Sequence, residues 1–527
     1  MINGYELAVF IIYLVAVLGI GIWFFIKGKK KKVSEKDYFL GGRQMNGLVA
    51  AFSAGASDMS AWVLMGLPTS ICLYGLGQVW ISVGLLIGTI CAWLFIAPKL
   101  RRFAIKANDS ITIPQFLENR FKAKNPILKI SCAVIFVVAY CVYTASSLSA
   151  CGELFNVVLG IDPTVAMIIA AAVIMIYTLL GGFNAVCWTD LIQGLIMLAA
   201  LMLVPIIALF VLNASGPLAL VITPANYYNP LSSGSFDWAS IASILSGLGW
   251  GLGYFGMPHI LIRYMSIRSE KEMKKSQIIG IVWIAIILVM ATVVGIVGHE
   301  YLGSSVDPTK NLVFVNMVKK IFGYGAVALI GGLMLSAIVA AAMSTADSQL
   351  LSASSSFASD IYKTTFRKNA SDKEMLWVSR GTVAGVLIIA FFIAINPNSG
   401  GIMGLVESAW AFFGAAFGPT IILALYWKRF NYQGAVSSIL TGFAVSIFWL
   451  FAFNNGADSF ICNTGLYELV PGFIIGLAVA IIVSLLTKEP PQEVVELFES
   501  VGDSVEEETE VETINETFIE ENETVIE

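Results

Sequence analysis

Three stretches of this sequence place polar groups inside apolar runs, where they could bind a small charged ligand. The first runs from Ser53 to Trp62 (SAGASDMSAW) and has Asp58 at its centre. A carboxylate at the centre of a bilayer costs at least ~2.5 kcal/mol on insertion scales, so such a residue is functional by default. The alternative is that Asp58 only caps or pairs with a neighbouring helix. Gly66 and Pro68 follow in the same run and disfavour one continuous helix.

The second stretch is rich in glycine and aromatic residues. Residues 247–259 read GLGWGLGYFGMPH, with five glycines and a proline in the first twelve positions. Such a composition makes a poor continuous helix. Close packing of glycines against a neighbouring helix would explain part of it. The proline and the interleaved aromatic residues favour an unwound stretch that lines a cavity.

The third stretch, residues 340–349 (AAAMSTADSQ), combines small residues with hydroxyls. Helical spacing places Ala341, Ser344 and Thr345 on one face. Hydroxyl and carbonyl oxygens on that face could meet carbonyls freed by a break near Asp58, and hard cations bind in such oxygen cages. A neutral cage with one nearby acid suits a monovalent ion such as sodium. The alternative is that these hydroxyls bond back to their own helix.

The composition excludes most soluble classes of protein. Of 527 residues, 57% are hydrophobic and 13% are charged, whereas soluble chains are about half apolar and about a quarter charged. A soluble enzyme, a nucleic-acid binder and a secreted scaffold are therefore excluded, and a polytopic membrane protein is predicted. The seven cysteines form no CxxC pair and are interpreted as small buried hydrophobic residues, not as a disulfide framework or a metal site.

The lengths of the apolar runs predict an all-α membrane protein. A bilayer core of about 30 Å needs about 20 apolar residues per helix. Thirteen runs qualify and are called segments 1 to 13: 5–26, 48–74, 78–98, 130–156, 163–182, 186–212, 239–258, 276–298, 322–357, 376–395, 402–427, 434–453 and 468–487.

The distribution of basic residues predicts the orientation of these segments. Short cytoplasmic loops collect Lys and Arg. If the N-terminus is outside, 28 of the 31 basic residues fall on the cytoplasmic side, in the loops and at the ends of the spans. Only Lys310, Lys319 and Lys320 remain outside. A missed or added helix would destroy this segregation, so thirteen spans with the N-terminus out and the C-terminus in are predicted. The last 39 residues, with 15 acids and no base, are predicted to be a disordered cytoplasmic tail.

The two predicted helix breaks lie in segments 2 and 7, which cross the membrane in opposite directions. This arrangement is the one that an inverted five-helix repeat requires. The predicted organisation is a first helix and loop (1–47), repeat 1 (48–212), an extracellular loop (213–238), repeat 2 (239–427), two further spans (428–488) and the tail (489–527).

Six motifs, in this order along the chain, resemble the sodium:solute symporter family, and specifically its bacterial sodium/proline branch. They are Leu40–Arg43 (LGGR), Ser53–Trp62, Leu179–Phe183 with Trp188–Asp190, Gly249–Leu261, Met343–Thr345 with Gln349–Leu351, and Trp410–Pro419. The resemblance extends from about residue 5 to 487. It implies a leucine-transporter-like core of two inverted five-helix repeats.

The resemblance also implies roles for individual residues. The sodium ligands would be the carbonyls of Ala56, Met59 and Ala341 and the hydroxyls of Ser344 and Thr345, with Asp58 as the nearby acid. The substrate pocket would be formed by Ser60, Trp62, Tyr143, Trp250, Tyr254 and Pro258. Taken singly, each of these aromatic residues could equally be an ordinary helix-packing residue.

Two further acids are functional candidates. Asp190 matches a family acid and is expected at the mouth of segment 6, where a topogenic or helix-capping role is an equal alternative. Asp347 stands where some proline symporters have an apolar residue. It either faces the ion site, where it could alter ion affinity or admit protons, or pairs with a base on the cytoplasmic side.

The sequence therefore predicts a bacterial, multi-pass cell-membrane protein that imports sodium and L-proline together by alternating access. No catalytic residue, no cofactor beyond Na⁺ and no nucleic-acid partner is expected, and membrane lipid surrounds the chain. A symporter of the same fold for another amino acid or an osmolyte is the first alternative, and an ion channel is the second. The sequence does not determine the oligomeric state.

Overall fold

The computed structural model describes residues 4–29, 35–215, 223, 225–303, 306–307, 310–454 and 456–501. These residues form helices and connecting loops, and no β-strand occurs among them apart from an isolated bridge between Met45 and Ile267. The apolar runs fold as helices because a helix satisfies every backbone hydrogen bond within its own segment.

Most of the predicted segments are single long helices. Their bounds are Gly4–Lys29, Ile127–Leu159, Glu270–Leu302, Asp372–Ala394, Gly401–Tyr426, Tyr432–Phe453 and Leu469–Leu486. Side chains cap several N-termini on the loop side, as Ser269, Ser371 and Asn431 do for the helices that follow them. These caps satisfy backbone N–H groups that the first helical turn leaves open.

Segments 2 and 7 are each interrupted. Segment 2 consists of Gly47–Asp58, Ala61–Leu64 and Gly66–Tyr74. Segment 7 consists of Trp238–Gly249, a 3₁₀ turn at Trp250–Phe255 and Pro258–Ser266. Both breaks lie where the sequence predicts them.

Four other segments depart from a straight helix. Segment 3 is Val79–Cys91, a π-helical turn at Ala92–Ile96 and Ala97–Lys106. Pro163–Ser215 changes direction at Gly182, where φ of 62° and ψ of −176° are not helical, so it holds segments 5 and 6. Segment 9 runs from Ala328 to Ser355 and continues as a π-helix, Ser356–Phe366.

Ten helices in the described part of the chain are long and apolar enough to cross a membrane. This number is lower than thirteen for three reasons. Segments 2 and 3 are counted as one span, the two halves of segment 7 are each too short, and segment 5 is the shorter helix Pro163–Ile176, which is not counted. The count of thirteen, the orientation and the division into repeats remain predictions.

The core lies around segments 4, 9 and 11. In their most apolar windows, 83% of Gly401–Tyr426, 72% of Gly325–Phe366 and 56% of Ile127–Leu159 is buried, against 28% of Tyr432–Phe453. These central helices therefore face protein over more of their surface than the outer helices do, and their buried polar groups must find partners within the molecule.

The prediction of a disordered tail from residue 489 onward is wrong for its first part. Gln492–Ser500 is a helix that packs against the helices Ala97–Lys106 and Ile113–Arg120. Glu493 pairs with Lys122 at 3.2 Å, and the Phe498 ring lies 6.1 Å from the Phe103 ring and 5.0 Å from the Arg120 guanidinium carbon. Acidic composition suggested disorder, but basic and aromatic loop residues provide a docking surface. Residues 502–527 lie outside the described part.

Candidate functional site

The helix of segment 2 ends in the interior of the molecule. Gly47–Asp58 stops at Met59, whose φ of −78° and ψ of 70° are outside the helical region. The chain resumes as a helix at Ala61, and the Ser60 hydroxyl accepts from the Trp62 amide at 3.5 Å. The carbonyl groups just before the break lack the N–H donors that a continuing helix would supply, so their oxygens are available to other partners.

One of those carbonyls meets segment 9. The Ser344 hydroxyl lies 2.9 Å from the Ala56 carbonyl oxygen and 3.1 Å from the Ala341 carbonyl oxygen, and can donate to either. The adjacent Thr345 hydroxyl is fully buried and has no hydrogen-bond partner among the described residues. The structure thus gathers oxygens from the break and from segment 9, with Met59 at the break itself. Their role as ion ligands remains a prediction.

Asp58 faces segment 7. Its side chain is 1% exposed, and its Oδ2 accepts a hydrogen bond from the Tyr254 hydroxyl. Its Oδ1 has no hydrogen-bond partner within the part of the chain that the structure describes. The acid next to the oxygen cluster is therefore bonded directly to a residue predicted to line the substrate pocket. Asp58 links the two broken helices.

Three of the aromatic residues predicted for the pocket, Trp62, Trp250 and Tyr254, belong to one cluster. The Trp62 and Trp250 rings lie 5.7 Å apart, so segments 2 and 7 meet here as well. Tyr143 of segment 4 is fully buried, and its ring is 6.1 Å from that of His259. The remaining predicted member, Pro258, begins the second half of segment 7.

Two aromatic residues that were not predicted as site residues complete this cluster. Trp410 of segment 11 donates from Nε1 to the Trp250 carbonyl at 2.8 Å, and its ring is 5.3 Å from that of Tyr254. Tyr467, just before segment 13, stacks on Trp250 with a ring distance of 5.3 Å. Trp410 lies in one of the family-like motifs and could have been found from it. Tyr467 carries no comparable signal in the sequence.

The glycines of segment 7 serve both close packing and an unwound backbone, the two explanations that the sequence suggests for them. A Cβ atom at Gly251 would lie 2.2 Å from the Gly84 carbonyl oxygen, and one at Gly253 would lie 2.0 Å from Trp410 Nε1. The backbone is thus both packed tightly against segment 3 and unwound into a 3₁₀ turn. Without side chains at these positions, the turn can approach its neighbours closely.

Asp190, predicted at the mouth of segment 6, lies within the helix that follows the change of direction at Gly182. Asp190 is fully buried, and its Oδ2 accepts from the Ser53 hydroxyl at 2.6 Å and from Arg263 at 3.4 Å. Arg263 also donates to the His259 carbonyl at 2.7 Å and to the Ser348 hydroxyl at 2.5 Å. This buried ion pair connects segments 2, 6, 7 and 9. Arg263 looked like a loop residue because sequence alone does not reveal its partner.

Asp347 is also buried in the interior. Its Oδ1 accepts from the Ser348 hydroxyl at 3.2 Å, and its helix, Ala328–Ser355, packs against Gly4–Lys29 and Pro163–Ser215. Asp347 therefore lies among segments 1, 6 and 9, next to the residue that bonds Arg263. An influence of Asp347 on ion affinity remains a prediction.

A cavity of about 430 Å³ reaches the aromatic cluster from one face of the molecule. Trp250 and Glu407 line it, together with Gln78, Trp238 and Asn463. The predicted orientation places this face outside the cell. The pocket residues themselves are closed off, since Trp250 is only 2% exposed and Tyr254 only 1%.

Comparison with known proteins identifies relatives along most of the chain. The sequence profile of the sodium:solute symporter family matches residues 38–442. The osmoregulated proline transporter OpuE of Bacillus subtilis is 40% identical over 92% of this chain and 96% of the relative. The high-affinity proline transporter PutP of the same organism is 41% identical over 90% and 98%. A sodium/proline symporter of Staphylococcus aureus is 40% identical over 91% and 92%.

Solved structures share the fold at lower identity. A Na⁺-coupled sialic acid symporter in a substrate-bound, outward-open state superposes with a TM-score of 0.74 at 22% identity, covering 93% of this chain and 99% of that one. The complex of MhsT with L-phenylalanine gives a TM-score of 0.50 at 14% identity, covering 83% and 97%. The fold is the leucine-transporter-like one, as predicted, in a multi-pass cell-membrane protein with bacterial relatives. The chain belongs to the sodium:solute symporter family.

Proposed function

We propose that this chain is a secondary active transporter that carries L-proline and Na⁺ together into the cell. The observation that carries the proposal is the identity of about 40% over nine-tenths of the chain to transporters named for proline and for sodium. The geometry supports it, because an oxygen cluster and an aromatic pocket lie side by side at two helix breaks. Transport needs no covalent chemistry and no cofactor beyond the ion.

The proposed sodium site uses neutral oxygens. The carbonyls of Ala56, Met59 and Ala341 and the hydroxyls of Ser344 and Thr345 would surround the ion, and hard cations prefer such ligands. Ser344 would turn its hydrogen away from the carbonyls and present a lone pair. Thr345 needs no such rearrangement, since its hydroxyl makes no competing hydrogen bond among the described residues. The Asp58 carboxylate supplies the balancing charge.

The proposed proline site lies against the aromatic cluster. The proline ring would pack on the faces of Trp62, Trp250 and Tyr254, since aromatic faces bury apolar rings well. The substrate carboxylate would lie near the N-terminus of the half-helix that begins at Ala61, where the helix dipole favours negative charge. Ser60 and Tyr143 would complete the proposed site.

Coupling between the two sites would run through Asp58 and Tyr254. Sodium at the break would fix the position of the Asp58 side chain. The hydrogen bond from Tyr254 to Asp58 would then fix the position of Tyr254, which lines the proposed proline site. If sodium raises proline affinity, proline must raise sodium affinity by the same factor. The membrane potential then contributes about 2.3 kcal/mol for each charge that crosses 100 mV.

Counterflow tests the substrate directly. Proteoliposomes loaded with unlabelled L-proline are diluted into labelled L-proline with equal sodium on both sides, and unlabelled amino acids or osmolytes are added outside as competitors. We expect transient accumulation of label that only close analogues of proline suppress. Exchange of another amino acid or osmolyte, with no exchange of proline, would keep the family and refute the substrate.

A pair of tryptophan variants connects the assay to the pocket. Trp250→Ala removes a ring that stacks on Tyr467 and contacts Trp62, and should abolish counterflow at proline concentrations that saturate the wild type. Trp188→Ala is the matched control, because that side chain is 42% exposed on the outside of the helix bundle. Equal loss in both variants would show that a general effect on folding, and not the pocket, is being measured.

A further inference from the structure

The helix Gln492–Ser500, here called the latch helix, bridges three elements on the face predicted to be cytoplasmic. They are the end of segment 3 (Ala97–Lys106), the connector helix Ile113–Arg120 with the turn that follows it, and the loop between segments 11 and 12. Three polar contacts join the latch helix to them: Glu493 to Lys122 at 3.2 Å, Glu499 to Lys428, and the Lys106 ammonium to the Ser500 carbonyl. Neither the proposed sodium site nor the proposed proline site uses this helix.

An aromatic cage around Arg120 anchors the latch helix. The Arg120 side chain is fully buried, and its guanidinium carbon lies 5.1 Å, 5.2 Å and 5.0 Å from the ring centroids of Phe103, Phe121 and Phe498. Of these three rings, Phe498 belongs to the latch helix. Nη1 and Nη2 of the guanidinium have no hydrogen-bond partner among the described residues. The ring faces therefore take the place of the partners that these two nitrogens lack, by cation–π attraction.

The connector helix joins this cage to the helices that carry the two proposed binding sites. Arg120 also donates from Nε to the Ala424 carbonyl at 3.0 Å, and Ala424 is in the same helix as Trp410. Just before the connector helix, the Thr112 hydroxyl donates to the Asp360 carboxylate at 3.1 Å, and Asp360 is in the π-helical extension of segment 9. The latch helix is thus connected, through one short helix, to segments 9 and 11.

The contacts of the latch helix combine a buried side with exposed ion pairs. Val494 is buried and Phe498 is partly buried, whereas the four side chains of the two ion pairs are 47–74% exposed. Exposed ion pairs contribute little and are weakened by salt. The latch helix has nine residues, and isolated helices shorter than about 12–15 residues are marginal in water. A small number of contacts therefore decides whether it is docked and folded or released and unfolded.

We propose that the latch helix is an autoinhibitory contact that holds the face predicted to be cytoplasmic closed. In the structure this helix is docked while the 430 Å³ cavity is open on the opposite face. The inference rests on the proposed transport function, because alternating access requires the cytoplasmic side to open in its turn and release proline. A helix that bridges three elements of that side loses contacts when these elements separate. The open state is therefore disfavoured by the docking free energy that is lost, and release of the helix should make transport faster.

Hydrogen exchange of the backbone amides in the latch helix tests the docking itself. Full-length protein in nanodiscs is compared with Phe498→Ala, which removes one ring of the cage. We expect protected amides in the wild type and exchange about tenfold faster in the variant, because a cation–ring contact and buried apolar area are both lost. Phe366→Ala is the matched control, since that ring is 68% exposed on the same predicted face, and it should leave the exchange unchanged.

Sodium-driven uptake of labelled L-proline into proteoliposomes tests the inhibition. We expect Phe498→Ala to raise the maximal rate between about twofold and about tenfold, because the gain cannot exceed the docking that the exchange experiment shows to be lost. The proline dissociation constant at saturating sodium should change by less than the rate, since no residue of the proposed pocket is altered. Phe498→Tyr keeps an aromatic face over Arg120 and should transport at the wild-type rate, as should Phe366→Ala.

Three results would overturn this inference. Amides of the latch helix that exchange in the wild type as fast as in an unfolded chain would refute the docking. Faster exchange in Phe498→Ala without faster uptake would refute the inhibition. Slower uptake in that variant, at an unfolding temperature equal to that of the wild type, would show that the helix supports transport. If Phe498→Ala unfolds at a lower temperature, Glu493→Lys makes the same test, because it reverses the exposed pair with Lys122.

Failure of the proposed function gives a different result. Sodium-driven proline uptake would then be absent from the wild type and from every variant, whereas the hydrogen exchange of the latch helix would still show whether it is docked. The same comparison of maximal rates then uses the substrate that counterflow identifies, and an unchanged rate in Phe498→Ala would again overturn the inhibition.

Discussion

The hydrogen bond between Tyr254 and Asp58 is the contact that joins the two proposed binding sites, and Tyr254→Phe removes it alone. The phenylalanine ring retains the contact with Trp410, whose ring centroid lies 5.3 Å away. The Asp58 carboxylate, whose Oδ1 already lacks a partner in the described part of the chain, would then have no protein donor for Oδ2. The substitution therefore tests the link and not the packing.

The expected magnitude follows from the nature of this bond. A hydrogen bond to a charged acceptor contributes about 1.5–3 kcal/mol, and a factor of ten corresponds to about 1.4 kcal/mol. We expect the proline dissociation constant of Tyr254→Phe, at saturating sodium, to rise between about tenfold and about 100-fold. Equilibrium binding of labelled L-proline to purified protein measures it.

A second tyrosine provides the matched control. Tyr228 also donates to a carboxylate, that of Glu300, at 2.5 Å, but this pair lies on the surface and far from the breaks. Tyr228→Phe should change the proline dissociation constant by less than about twofold, since exposed polar pairs contribute little. Wild-type affinity in Tyr254→Phe would refute the link, and an equal loss in both variants would show that the effect is not specific to the site.

Three further predictions concern the proposed ion site, the packing and the face predicted to be cytoplasmic. Ser344→Ala should raise the sodium concentration that gives half-maximal proline binding about tenfold or more, because one polar contact to the ion is lost. Proline affinity at saturating sodium should change far less. Equal shifts in both quantities would show that Ser344 is not an ion ligand. Gly253→Ala places a Cβ 2.0 Å from Trp410 Nε1 and should lower the free energy of unfolding by about 1–3 kcal/mol, which a lower unfolding temperature would show. Gly381→Ala is the control, because a Cβ there has no atom within 4 Å, and it should leave the unfolding temperature unchanged. Equal unfolding temperatures for the two variants would contradict the packing. Burial alone would raise the pKa of the Asp109 carboxyl, but hydrogen bonds and charges from a lysine and an arginine lower it below its usual value. Its contribution to stability is present above the unfolded pKa of about 3.9 and is lost as the pH falls through the lower folded value. Asp109→Asn should therefore unfold at a lower temperature than wild type at pH 6 and converge with it once the pH is below the folded pKa. An equal difference at both pH values would contradict this assignment.

The helix breaks could be predicted from the sequence because their causes are local. An acid among small residues ends the helix at Asp58, and glycines with a proline unwind Trp250–Phe255. Each feature acts on the backbone within a few residues, so composition and spacing are sufficient to locate it.

The pairing of residues across the bundle could not be predicted in this way. Arg263 was counted among loop bases, whereas it lies buried beside Asp190, which is 73 residues away along the chain. The bond from Tyr254 to Asp58 spans 196 residues. Such contacts depend on how the helices pack, and a single sequence contains no direct record of that.

The structure of the helix Gln492–Ser500 also depends on contacts that are distant in sequence. Its acids predict a solvated tail when they are considered alone. In the structure Val494 is 1% exposed, and the ring of Phe498 lies against Phe103 and Arg120. The helices that supply these contacts are more than 370 residues away along the chain, so the partner surface was not apparent from the local composition.

Uptake of labelled L-proline into proteoliposomes of the purified protein tests the central claim most directly. An inward sodium gradient is compared with an equal potassium gradient, and an ionophore then dissipates the sodium gradient. The proposed mechanism predicts accumulation above the external concentration only with sodium, followed by loss of the accumulated proline when the gradient collapses. Equal uptake in sodium and potassium, or uptake that stops at equilibrium in both, would contradict sodium-coupled symport of proline.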